Sequence, residues 1–177
     1  MFAPSRSPQQ GFTLLELMVV VVIAGLLFTL AVLSINTNTA EDTLKQEAQR
    51  FERLLQLLLE EAVLKGEDYA IEMAPREYRF LRLVQNRWTP IEDDRLLRLR
   101  QLPQEMELEL AVEDTSIVFG GDSTGEDDSE SLKPQVFVLS SGEITPEFEL
   151  QFFYPMLLTR YAVRASFDGK HSTARVE

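Results

Sequence analysis

The sequence predicts an α+β chain: a long N-terminal helix, half membrane-spanning and half amphipathic, packed on an antiparallel β-sheet head. Three observations predict it. Residues 17–35 form a 19-residue run without a charged side chain. Between Leu44 and Val63 apolar residues recur at gaps of three and four, the period of one helix face. From Asp68 onward apolar and polar residues alternate with period two, the mark of half-buried strands.

Residues 1–11 are polar, with Pro4, Pro8 and one side-chain cation, Arg6. Then comes Gly11-Phe12-Thr13-Leu14-Leu15-Glu16 and the uncharged run. As a helix that run reaches roughly 28 Å, against a hydrocarbon core of ~30 Å. A helix is the local structure that satisfies every backbone group in lipid, so valines 19 to 22 are no obstacle. A cleavable secretory signal would have an apolar core of only about 7–15 residues and a small-x-small cut site. This run is longer, and Ser34-Ile35-Asn36-Thr37 offers no such site. Residues 1–11 carry Arg6 and the α-amine, while the head is acidic, so this end is expected to stay cytoplasmic.

Glu16 is the feature a plain anchor does not need. A carboxylate costs about 2.5–3.5 kcal/mol at mid-bilayer, less near the end of a span, and calls for a named partner. A cut between Gly11 and Phe12 would supply one. Phe12 would then bear a free ammonium group one helical turn from Glu16 and on the same face. Glu16 would also sit near the helix N-terminus, where the macrodipole favours an anion. Between stacked chains it can meet the Phe12 ammonium of a neighbour, which favours assembly and sets the axial register.

After the run, Asn36-Thr37-Asn38-Thr39 is a polar break, and Thr39 with Glu41 and Asp42 reads as a weak N-cap. The second, amphipathic helix is expected over 36–66, with a core stripe of Leu44, Ala48, Phe51, Leu54, Leu55, Leu58, Leu59, Ala62 and Val63 and a stop at Lys65-Gly66. Residues 67–177 form the head. Strands are expected at 69–73, at 78–84 after the turn Pro75-Arg76, around Leu97 and Leu99, at 106–112, 117–119, 136–139, 148–153 and 161–167. Asp168-Gly169 then turns the chain into a returning strand toward Val176. One antiparallel sheet covered on one side by the helix fits this alternation. Residues 120–134 read as a mobile acidic loop, rich in Gly, Ser and acids. Asp122, Glu126, Asp127, Asp128 and Glu130 are oxygen ligands of the kind calcium takes, but their spacing does not fit an EF-hand, and a solvated loop is the plainer reading.

Composition excludes much chemistry. The chain has 177 residues, a formal charge of -12, no cysteine and a single histidine. Disulfides, thiolate sites, cysteine nucleophiles and multi-histidine metal centres are therefore ruled out. An excess of acid repels nucleic-acid phosphates. His171 lies in one turn with Asp168 and Ser172, not in a converging triad, and reads as an exposed hairpin residue. No phosphate loop or hydrolase elbow is present. No catalytic residue, cofactor or metal is expected, and the chain is not expected to be an enzyme.

Gly11-Phe12-Thr13-Leu14-Leu15-Glu16-Leu17-Met18 with its apolar run resembles the type IV prepilin and type II secretion pseudopilin superfamily. The resemblance implies a pilin-like fold in which residues 1–11 are a leader peptide. A prepilin peptidase would cut between Gly11 and Phe12 and N-methylate Phe12. Residues 12–35 would be the transmembrane helix, and Glu16 and Phe12 the assembly pair. Val138-Leu139-Ser140-Ser141-Gly142-Glu143-Ile144-Thr145-Pro146, with Phe148 behind, resembles the C-terminal signature of the minor pseudopilin H (GspH) family, with Glu147 as a small departure. Physically Ser141-Gly142 supplies a turn and Pro146 stops strand pairing. Implied are a structural subunit near the tip of a periplasmic pseudopilus that drives export of folded proteins, a single-pass inner-membrane protein with a periplasmic head, and partners among the I, J and K minor pseudopilins, the major pseudopilin G and the inner-membrane assembly platform. Major pseudopilins bind calcium in a head loop, but no residue-by-residue match transfers that site here. Alternatives in keeping with the same residues are a minor pilin of a type IV pilus (FimT/FimU-like) and a membrane-anchored periplasmic binding module.

Overall fold

A computed structural model describes residues 14–103, 105–113, 115–117, 119 and 132–176, and the backbone alone of 30–39. It divides into two compact units, Met1–Ala40 and Glu41–Glu177. One helix, α1 (Leu14–Lys65), passes through both. The polar tetrad at 36–39 therefore does not end one helix and cap another. Four Asn and Thr residues weaken a helix by roughly 2–3 kcal/mol together. Starting a new helix costs about 4 kcal/mol, so continuation wins. At the far end Gly66 takes φ +63°. The Glu67 amide donates to the Ala62 carbonyl at 3.3 Å, a Schellman stop at the expected place.

Among the described residues eleven strands follow: β1 (Tyr69–Ala74), β2 (Glu77–Val84), β3 (Arg87–Pro90), β4 (Arg100–Gln101), β5 (Glu107–Val112), β6 (Thr115–Ile117), β7 (Val136–Val138), β8 (Ile144–Thr145), β9 (Phe148–Phe153), β10 (Arg160–Ala165) and β11 (His171–Val176). The fold class is as expected, helix plus antiparallel strands, but the strands form two sheets. One has the order β3-β2-β1-β7-β8 with β4 also on β2; the other is β11-β10-β9-β5-β6. The chain leaves the first sheet after β4, returns for β7 and β8, and leaves again at the cis Thr145–Pro146 bond. Alternation reports which face of a strand is buried; it does not report the strand's partner.

Three local departures have local causes. Leu97 and Leu99 are not in a strand, because the Asp94 carboxylate accepts the Leu96 and Leu97 amides at 2.6 and 3.2 Å and winds the segment into turns. The β2–β3 hairpin carries no glycine signal in the sequence: its turn is Gln85-Asn86, at φ 48° and 65°. The short strand near 117 starts earlier, as β6, and Val118 lies outside the described residues.

The core lies under the head half of α1. Leu44, Ala48, Phe51, Leu55, Leu58 and Ala62 are fully buried, as the stripe predicts, whereas Val63 is exposed. Phe51 is the hub. Its ring lies 5.1 and 6.5 Å from Tyr78 and Phe80 of the first sheet. It lies 6.4 and 6.0 Å from Phe148 and Phe152 of the second.

The β10–β11 turn closes on Gly169, at φ +78°. A Cβ there would stand 2.8 Å from the Gly142 carbonyl oxygen. Gly169→Ala is expected to destabilise the head by about 1–3 kcal/mol, from left-handed strain plus the clash. Chemical denaturation of the two chains measures it, and an unchanged midpoint would contradict the packing described.

Candidate functional site

Gly11 and Phe12 lie outside the described residues, as do all the acids of the 120–134 loop. Glu16 stands in the first turn of α1, with its side chain exposed. Around it the N-terminal half of α1 turns apolar side chains outward on every side. Leu14 is 78% exposed and Phe28 74%, and the four successive valines 19 to 22 are all about half exposed or more. A helix apolar around its whole circumference is one that is buried in lipid or among other helices. The hydroxyl of Thr29 donates to the Gly25 carbonyl at 2.8 Å, so it needs no water. Among the described residues no helix is long and apolar enough to cross a membrane. The described side chains of this stretch end at Thr29, which covers only about 24 Å from Leu14.

In the head, acids on α1 meet cations and a hydroxyl on the sheets. Glu41 pairs with Arg175 at 3.2 Å. The Thr173 hydroxyl donates to Glu52 at 2.7 Å. Glu47, 6% exposed, accepts from Arg100 at 2.6 Å and from Arg50 at 3.4 Å. The hydrogen bond that Arg100 donates to Glu47 holds its guanidinium above the ordinary value, against the effect of burial. Burial pushes the Tyr78 hydroxyl well up, and the Glu47 charge adds to it, so Tyr78 stays neutral. The periodicity pointed to the apolar stripe and passed over Glu47. The signal was there: a carboxylate three residues after Leu44, on the buried side.

Asp168, His171 and Ser172 lie along one turn and the strand that leaves it. His171 is half-buried rather than exposed, and its Nδ1 lies 3.0 Å from the Gly169 carbonyl oxygen. Among the described residues no three His, Cys, Asp or Glu side chains converge to hold a metal. An open groove of about 480 Å³ runs between α1 and two turns, lined by Leu59, Val63, Leu64, Gly142 and Gly169.

On the second sheet Glu149 bonds Arg164 and Gln151. Burial works to raise its carboxyl, but those hydrogen bonds and the Arg164 charge hold it below the ordinary 4.5. Such a group contributes stability that is present above its unfolded-state pKa and lost as pH falls through the lowered one. Glu149→Gln is therefore expected to narrow the stability gap between pH 7 and pH 3, by less than about 1 kcal/mol for so exposed a pair. Thermal melts at both pH values check this; equal acid sensitivity in the two chains would contradict it.

The family model of the prokaryotic N-terminal methylation motif matches residues 6–32. The chain is 37% identical over 141 residues to type II secretion system protein H of Pseudomonas aeruginosa, covering 77% of this chain and 79% of that one. It is 32% identical over 161 residues to type II secretion system protein H of Vibrio cholerae, covering 81% and 82%. The crystal structure of the minor pseudopilin EpsH from the type II secretion system of Vibrio cholerae matches with a TM-score of 0.61 at 28% identity, over 75% of this chain and 93% of that one. The solution structure of Escherichia coli GspH, at 20% identity, shares the fold with a TM-score of 0.57 over 78% and 93%.

Proposed function

The chain belongs to the family of type II secretion system protein H, and on that ground we propose that it is a minor pseudopilin. It is a structural subunit laid into the periplasmic pseudopilus near its tip. A prepilin peptidase removes residues 1–11 and methylates Phe12. Methylation keeps the ammonium charge, so the terminus remains a partner for a carboxylate. The apolar half of α1 first spans the inner membrane, with the leader cytoplasmic and the head periplasmic. It then leaves lipid for a bundle of like helices, in which Glu16 neutralises the Phe12 terminus of a neighbour. An inner-membrane ATPase, acting through the assembly platform, drives subunit addition. The filament pushes folded exoproteins through the outer-membrane channel. The heads contact the I, J and K minor pseudopilins above and the major pseudopilin G below.

The observation that carries this reading is the apolar circumference of α1 over its first turns, interrupted by Glu16 alone. A binding module tethered by an inert anchor would not need that carboxylate. The test is deletion of the chain's gene from a secreting strain. Exoproteins are expected to collect in the periplasm and to return to the medium on complementation. Undiminished secretion in the deletion strain would refute the reading.

A further inference from the structure

On a chain of net charge -12, α1 and the segment 95–101 enclose a cleft of about 380 Å³ whose charged lining is wholly cationic: Arg50, Arg95, Arg98 and Arg100. Resting on the pseudopilin reading, we infer that this cleft docks an acidic, apolar segment on the head of another pseudopilin of the same filament.

The cleft is built, not a chance cluster of surface arginines. Glu47, buried beneath it, fixes the guanidinium groups of Arg50 and Arg100. Leu97, 2% exposed, pins the 95–101 segment into the core. On either side of that pin Arg95 and Arg98, exposed, alternate with Leu96 and Leu99, which are 62% and 47% exposed. Among the described residues, the acids just before the segment, 92–94, leave the cleft to the arginines. Asp94 accepts the amides of Leu96 and Leu97, and Asp93 lies 3.9 Å from Arg82. Glu92 is exposed and does not line the cleft.

Guanidinium forks match carboxylates bidentately, and the leucines offer apolar area beside them. That combination selects a protein segment carrying carboxylates beside an apolar side chain. A dense polyanion would be repelled by the rest of this acidic chain. The same repulsion weakens docking between free acidic heads. Local attraction takes over only within a Debye length, about 8–10 Å at physiological salt, a separation that packed anchor helices would impose.

The absence of cysteine makes the test clean. Gln101, on the rim of the cleft, is replaced in the full chain (Gln101→Cys) and carries a thiol-linked benzophenone. Membranes holding the complete secretion system are irradiated and probed for this chain and for each of the other pseudopilins. The expected product joins this chain to a different pseudopilin. Its yield should fall about tenfold or more in Arg95→Glu/Arg98→Glu, and less in Arg95→Gln/Arg98→Gln, which removes charge without reversing it. No adduct, an adduct within the chain to residues 120–131, an adduct of two copies of this chain, a lipid adduct, or a yield unchanged by charge reversal would each overturn the inference. The mature N-terminus is read in the same samples. A lost adduct on a chain that starts at Phe12 refutes the cleft alone, whereas an unprocessed chain refutes the pseudopilin reading.

Discussion

Glu16→Ala is expected to reduce export of a reporter exoprotein about a hundredfold or more, while the chain is still made and inserted. Removing one member of a buried ion pair costs about 3–5 kcal/mol, because the other charge stays buried and alone. Here the stranded group would be the Phe12 ammonium of the neighbouring subunit. The substitution acts from both ends. It makes the lone chain more comfortable in lipid, where a carboxylate is penalised, and the bundle less so. Glu16→Gln should behave like alanine, since it keeps the shape and loses the charge. Secretion assays and incorporation into pseudopili measure both variants. Normal export with normal incorporation would remove the pairing mechanism.

Phe51→Ala carries the largest expected loss of stability. The ring is fully buried and touches Tyr78 and Phe80 of one sheet and Phe148 and Phe152 of the other. Truncating a buried Phe costs about 3–5 kcal/mol, transfer and cavity together. For a head of this size that lowers the melting temperature by roughly 10–20 °C. Near-UV circular dichroism of the full chain in detergent follows it, because the lost contacts are aromatic. Phe51→Leu should recover much of the loss by refilling the space. A shift of only about 2 °C, within the error of such melts, would mean that α1 does not join the two sheets through this ring.

The helix face and most strands could be read because their information is local. Leu44, Ala48, Phe51, Leu55, Leu58 and Ala62 repeat at gaps of three and four, and all six are fully buried. Val63 continues the spacing but lines the open groove with Gly142 and stays 56% exposed, while Ala62 beside it is fully buried. Leu97 and Leu99 alternate like a strand, yet a carboxylate three residues before Leu97 settles the backbone otherwise. The division into two sheets was not legible, since β5 pairs with β9 about forty residues on and β1 with β7 nearly seventy on, and nothing in a strand's own alternation names so distant a partner. A like distance hid the arginine cleft: Arg50 and Arg100 share Glu47 and one cleft from about fifty residues apart. The spacing of Gly11, Phe12 and Glu16, by contrast, lies within six residues and can be read without a fold.

Assembly turns on a new cationic terminus placed one helical turn from Glu16. N-terminal sequencing and intact mass of the native protein, extracted from membranes, measure that directly. The chain is expected to begin at Phe12 and to weigh one methyl group more than the sequence from Phe12 onward. A native chain that still begins at Met1 would contradict it.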